Sequence, residues 1–161
     1  LIDKYSVERW KKAKDFEPSG ITDENKGSIA FIWEYKDTKV LFMGDAEPDI
    51  VKTPIVNKYG KVDNMKAIKV SHHGSKHSTS KELMEVIDSF DYFITGGSVG
   101  DKPSMETLVK IVDRGDNKVR TIHYNYDRNI LMKDMASDES VELRQKYNFQ
   151  IDTNNELEFE Y

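Results

Sequence analysis

Three short apolar runs, at 39–43, 67–70 and 92–95, constrain this chain most. Each is too short for a helix and stops at a loop of small or polar residues. The loops are Gly44-Asp45-Ala46, Ser71-His72-His73-Gly74 and Gly96-Gly97-Ser98-Val99-Gly100. Apolar residues at helical spacing follow the second run (Leu83, Met84, Val86, Ile87, Phe90) and the third (Met105, Leu108, Val109, Val112). Strand, loop and helix in that succession give parallel strands joined by crossover helices. An earlier strand at 28–35, linked to 39–43 through Lys36-Asp37-Thr38, adds a hairpin. The expected fold is α/β, a mixed sheet with packed helices. The unbroken apolarity of 39–43 predicts a strand covered on both faces.

Around this core, residues 1–27 read as a polar lead-in whose stretch 5–14 forms a helix with Trp10 on its buried side. Thr79 and Glu82 have the spacing of a capping box, and Ser104 is placed to cap the helix that Gly115 ends. The core extends over 28–125, with a last strand at 119–123. Beyond it, 126–161 is a C-terminal extension: a strand at 129–132 after Tyr126-Asp127-Arg128, a polar helix over 138–146, and edge strands at 149–152 and 156–161. The 161 residues make one domain.

Composition removes several classes of function. With no cysteine, disulfides and thiolate zinc sites are excluded, so a metal must rest on His, Asp and Glu. A net charge of −5 argues against broad electrostatic capture of nucleic acid, though a local basic patch stays open. No apolar run approaches the roughly 20 residues of a membrane span, so no membrane segment is expected. A cytoplasmic chain, or a soluble domain of a membrane protein, is expected.

Histidines carry the chemistry. Three of the four fall between positions 72 and 77. If the strand continues extended through them, Ile68, Val70 and His72 face the core while Lys69, Ser71 and His73 face a polar space. His73 is then the candidate ligand, and His72 is either the alternative ligand or turns to the core or to a neighbouring side chain. His77 reads as a solvated loop histidine, and His123 as a strand residue. Asp45 follows a strand directly, where a carboxylate either binds a cation or caps a helix. Parallel strands lie about 4.8 Å apart, so Asp45 and His73 can share one metal centre; zinc, manganese and iron are all compatible with such donors. The loop with Gly97 and Ser98 is either an anion cradle or a tight turn.

Taken together, Asn25-x-x-Ser28, Leu41-Phe42-Met43-Gly44-Asp45-Ala46, Ile68-Lys69-Val70-Ser71-His72-His73-Gly74-Ser75 and Gly97-Ser98-Val99-Gly100 with Pro103 resemble the metallo-β-lactamase superfamily. Within it they are most similar to the hydrolase domain of ComEC-type competence proteins, over roughly residues 25–125. The resemblance implies an αββα sandwich of two similar halves, with one or two ions, zinc or manganese, at one edge. It implies Asp45 as the metal-bridging aspartate, His73 as the last histidine ligand, and hydrolysis of phosphodiester or other ester-like bonds by metal-activated water. Lys69, Ser75, Lys76, Gly97 and Ser98 stand where a phosphodiester or nucleic-acid substrate would be met.

The superfamily's His-x-His-x-Asp-His motif is absent. The chain therefore reads as the C-terminal half of such a domain, inactive alone, partnered by the missing N-terminal half and prone to self-association through apolar surface. The alternative is a non-catalytic module that keeps the fold and binds a partner.

Overall fold

The computed structural model describes residues 7–20, 22–96, 102–125 and 138–152, with 138–140 traced as backbone only. The hairpin consists of β1 (Phe31–Tyr35) and β2 (Thr38–Phe42), antiparallel as expected. After it come α3 (Pro48–Tyr59), β3 (Val62–Met65), β4 (Ala67–Lys69), α4 (Lys81–Val86), β5 (Ile87–Ser89), β6 (Asp91–Ile94), α5 (Met105–Val112) and β7 (Arg120–Tyr124). Two helices precede the hairpin, α1 (Val7–Lys14) and α2 (Asp23–Lys26); α6 (Asp138–Lys146) and β8 (Phe149–Asp152) follow β7. The main sheet has six strands in the order β1-β2-β4-β6-β7-β8, parallel everywhere except in the hairpin. The fold is α/β with a mixed sheet and packed helices. Among the described residues no helix is long and apolar enough to cross a membrane.

The register assigns the two faces. Leu41, Ile68, Tyr92 and Ile122 stand in line across β2, β4, β6 and β7, all at most 1 % exposed. They share one core with Val51 and Ile55 of α3, Leu83 of α4, and Leu108, Val109 and Ile111 of α5. Trp10 of α1 is buried against the far end, stacked on Tyr147 at 4.9 Å and Phe149 at 6.0 Å, so the lead-in and the C-terminal strand close the same core.

The opposite face is different. Phe31, Trp33 and Tyr35 of β1 pair across to Phe42, Val40 and Thr38 of β2. Phe31, Trp33, Tyr35 and Phe42 are 52 %, 41 %, 57 % and 38 % exposed, with Phe31 and Phe42 stacked at 4.9 Å. Strand β2 is therefore covered on one face, not on both. Its apolar run does not mean full burial, because the alternate residues form an open aromatic face.

Two local expectations are corrected. The helix after the histidines stops at Val86, and Ile87–Ser89 becomes β5, parallel to the unforeseen β3. Asp88 works against helix continuation there: its Oδ1 accepts the Ser89 N–H at 2.9 Å and the Tyr92 hydroxyl proton at 2.8 Å. The N-cap of α4 is Ser80, whose Oγ accepts the Leu83 N–H at 3.1 Å, while Thr79 Oγ1 is buried without a partner among the described residues. Ser104 caps α5 as expected, accepting the Thr107 N–H. The proposed strands at 129–132 and 156–161 lie outside the described residues.

Asp88 also anchors a buried ion network. Arg120, 1 % exposed, donates to both Asp88 oxygens at 3.1 and 2.9 Å, and Lys118 adds a third cation contact at 2.9 Å. Burial pushes the Asp88 carboxyl up, but the Arg120, Arg114, Lys118 and Tyr92 contacts outweigh it and hold the group well below the usual carboxylate range.

Candidate metal-binding edge

Because β2, β4, β6 and β7 are parallel, their C-terminal ends open on one edge of the sheet. Gly44-Asp45 leaves β2 there, Ser71–Gly74 leaves β4, and Thr95-Gly96 leaves β6. The His72 N–H donates to the Gly44 carbonyl at 2.9 Å, and Ser71 Oγ to the Ala46 carbonyl at 2.9 Å. The Gly96 N–H donates to Asn125 Oδ1 at 2.9 Å, tying in the end of β7. Asp45 and His73 thus stand on neighbouring strand ends, as expected. Gly97 and Ser98 lie outside the described residues; the strand that leads to them ends at this edge.

Extended alternation stops short of the histidines. Strand β4 ends at Lys69, and Ser71–Gly74 form a 3₁₀ turn in which His72 (φ 45°, ψ 46°) and His73 (φ 55°, ψ 28°) are both left-handed. Ser71 is buried, contrary to its expected polar facing, and His72 is half-buried instead of lodged in the core. Left-handed non-glycine residues cost roughly 1–3 kcal/mol each and persist where surrounding structure holds them.

Hydrogen-bond partners separate the two rings. His73 Nδ1 meets the Thr95 carbonyl oxygen, an acceptor only, so Nδ1 carries the proton and Nε2 keeps a lone pair. His72 Nδ1 lies 3.2 Å from Asn25 Nδ2 and accepts from that amide, which assigns the proton of the neutral ring to Nε2. His73 is therefore the ring whose Nε2 carries the lone pair, and His72 is held by the Asn25 amide. Burial lowers the His72 pKa, with Lys102 and His73 adding to the effect and Asp45 opposing it. Gly96 sits against the His73 ring: a Cβ there would lie 2.7 Å from Nδ1 and 3.0 Å from Cγ.

Lys69, on the open-face side of β4, reaches toward the Gly44 carbonyl at 3.4 Å. Burial lowers its pKa, and the nearby Asp45 charge works the other way. Ser75 accepts the His77 N–H at 3.4 Å, and its own carbonyl accepts from Thr107 Oγ1 at 3.0 Å. Lys76 lies over the Phe16 ring, 5.2 Å from its centroid. His77 is half-buried with its ring edge-on to Phe16, so it is not a freely solvated histidine. His123 spends both ring nitrogens on carboxylates, Asp91 at 2.8 Å and Asp152 at 2.9 Å, and stacks on Phe93.

Asp45 and His73 suit a divalent cation in kind, one hard oxygen donor and one imidazole with a defined tautomer. They do not suit it in number, since a catalytic zinc ordinarily takes three protein ligands. Among the described residues, no group of three or more His, Asp or Glu side chains is placed to hold one ion. Asn25 and the Thr95 carbonyl orient the two rings and were not read from the sequence. Asn25 had a visible signal in Asn25-x-x-Ser28, whereas a backbone acceptor has none. No family model matches the chain, and neither a curated protein nor a solved structure matches it.

Proposed function

We propose that this chain forms the C-terminal part of a metal-dependent hydrolase of the metallo-β-lactamase type, acting on phosphodiester or other ester-like bonds. The observation that carries the reading is His73. It is held in a left-handed turn with Nδ1 on the Thr95 carbonyl, its Nε2 lone pair is left for a ligand, and it shares an edge with Asp45. A carbonyl that accepts from Nδ1 orients a metal-ligating histidine and fixes its tautomer, and backbone strain of this kind clusters at functional sites. A divalent ion there, zinc or manganese, supplies Lewis-acid activation of water and of the scissile ester. Asp45 contributes charge, and Asn25 fixes His72 beside them.

The open aromatic face supports the half-sandwich part of the proposal. A sheet packed against helices on one side, with aromatic residues exposed on the other at its β1–β2 end, is what an αββα arrangement short of one layer would show. The missing layer would cover Phe31, Trp33 and Phe42 and bring the remaining ligands. The same face favours a second reading, a non-catalytic module that docks a partner there.

Zinc titration followed by NMR tests the proposal. Zinc should shift Asp45 and His73 together, and Asp45→Ala or His73→Ala should each weaken uptake at least tenfold. The chain alone should not hydrolyse bis-p-nitrophenyl phosphate above a metal-only control, whereas a protein that also supplies the His-x-His-x-Asp-His layer should. Zinc uptake indifferent to both substitutions would refute the assignment.

A further inference from the structure

Strand β1 ends the main sheet and pairs with β2 alone, so one side of its backbone has no strand beside it. The bonds of β2 show which groups lie on that side. The Lys39 carbonyl accepts the Lys66 N–H at 2.8 Å and so points toward β4. Thr38, Val40 and Phe42 alternate with it, bond toward β1, and meet Tyr35, Trp33 and Phe31 there. The Ile29 carbonyl turns the same way, 2.7 Å from where a Cβ on Gly44 would stand. Ala30, Ile32 and Glu34 therefore direct their N–H and C=O groups outward.

Sheets blunt such an edge with Pro, Lys, a bulge or a covering segment. Strand β1 reads Phe-Ile-Trp-Glu-Tyr in unbroken register with β2, so it has neither Pro, Lys nor bulge. Its one charge is taken up within the chain: Glu34 pairs with Lys39 at 3.0 Å and accepts from the Tyr59 hydroxyl at 2.9 Å. The edge is apolar on both sides. Phe31, Trp33 and Tyr35 are exposed on the open face. On the other side a cavity of about 210 Å³ separates the strand from α3, lined by Ala30, Ile32, Leu41, Pro54 and the exposed Ile50.

We propose that a second copy of this chain pairs with β1, antiparallel about a two-fold axis at Ile32, so that two six-stranded sheets become one. The strand is self-complementary in that register. Ile32 meets Ile32 of the second copy and Ala30 meets Glu34, so every outward group is used in about six hydrogen bonds, two to a bonded pair. On the open face Phe31 meets Trp33 and Ile29 meets Tyr35, apolar against apolar. An axis at Glu34 would set two carboxylates against each other. An axis at Trp33 would bring Ala30 against Lys36, which at φ 52° has left the strand. The same surface serves both copies, as a closed two-fold interface requires. Pairing runs in the plane of the sheet and leaves the aromatic face open, so it does not depend on the hydrolase reading.

Sedimentation velocity tests the pairing, and the absence of native cysteine allows disulfide trapping to test the register. The chain should be dimeric by about 100 μM. Glu34→Pro removes an outward N–H and none that bonds β2, and should weaken the dimer at least tenfold; Glu34→Ala keeps that N–H and should weaken it far less. Bonded antiparallel residues stand about 5.5 Å apart at Cα, within disulfide range. Ile32→Cys should therefore form a linked dimer with copper phenanthroline as oxidant, whereas Trp33→Cys, displaced from its own counterpart, should not. Circular dichroism checks that each variant folds; if Glu34→Pro does not, the two cysteine variants decide. A chain monomeric at that concentration, or a dimer indifferent to a folded Glu34→Pro, would overturn the edge pairing. Linkage through Trp33→Cys in place of Ile32→Cys would overturn the register. A dimer lost in Phe31→Lys with Trp33→Lys but kept in Glu34→Pro would mean association through the aromatic face, and would overturn the proposal. None of these readouts involves zinc, so they succeed or fail separately from the metal-site assignment.

Discussion

Gly96→Ala probes the candidate site through geometry alone. Gly96 has φ +126°, a region that penalises an L side chain by roughly 1–3 kcal/mol. The added Cβ would also meet His73 Nδ1 at 2.7 Å and Cγ at 3.0 Å, well inside ordinary contact. The ring must swing away and give up its bond to the Thr95 carbonyl, worth about 1 kcal/mol. The expected loss is therefore about 2–4 kcal/mol, or roughly 4–16 °C in Tm for a chain of this size. Gly115→Ala is the control, because Gly115 also has a positive φ of +71° but nothing within 4 Å of the point where its Cβ would stand. Thermal and urea unfolding give the two losses, and the imidazole ¹⁵N shifts of His73 report its tautomer. Gly96→Ala should cost more than Gly115→Ala and should erase the Nδ1–H signature. Equal losses with an unchanged His73 tautomer would refute the claim that Gly96 positions the ring.

Asp88→Asn should destabilise by about 3–5 kcal/mol in urea unfolding, because it leaves the buried Arg120 with a weaker partner. Since the folded Asp88 pKa is depressed, its contribution is full above the ordinary value of about 3.9 and is lost as pH falls through the lower folded value; acid unfolding below pH ~4 should flatten in Asp88→Asn. Ser80→Ala should cost about 1 kcal/mol by loss of the α4 cap, whereas Thr79→Val should cost almost nothing, a contrast read from paired melts. Phe31→Lys with Trp33→Lys should reduce self-association in sedimentation velocity and dye binding to the open face, with the far-ultraviolet circular dichroism unchanged.

The parallel strand ends were legible because each apolar run stops at a loop, and that alone put Asp45 and His73 on one edge. What escaped notice has physical causes. Strand β3 carries apolar residues only at its ends, Val62 and Met65, so neither period shows. Ile87 has helical spacing from Leu83 and Met84, yet the side-chain bonds of Asp88 turn the chain into β5. The left-handed conformation of His72 and His73 has only a weak compositional cue: histidine is enriched there with asparagine and aspartate, but far less strongly than glycine. Reading 39–43 as doubly covered failed because an aromatic residue on a bare face looks the same in sequence as one in a core.

From β2 onward the main sheet is laid down in chain order: β4 docks on β2, β6 on β4, β7 on β6 and β8 on β7. Synthesis from the N-terminus therefore offers each new strand an edge that already exists, and the sheet can lengthen on one flank as the chain emerges. Asp45 is set first, the histidine turn second, and the Thr95 carbonyl that fixes His73 only after β6 has docked. Until β8 arrives, every intermediate displays an unpaired parallel edge on the flank away from β1, while the aromatic face stays open at the other end of the sheet. Those are the species in which mispairing between nascent chains has the most to join.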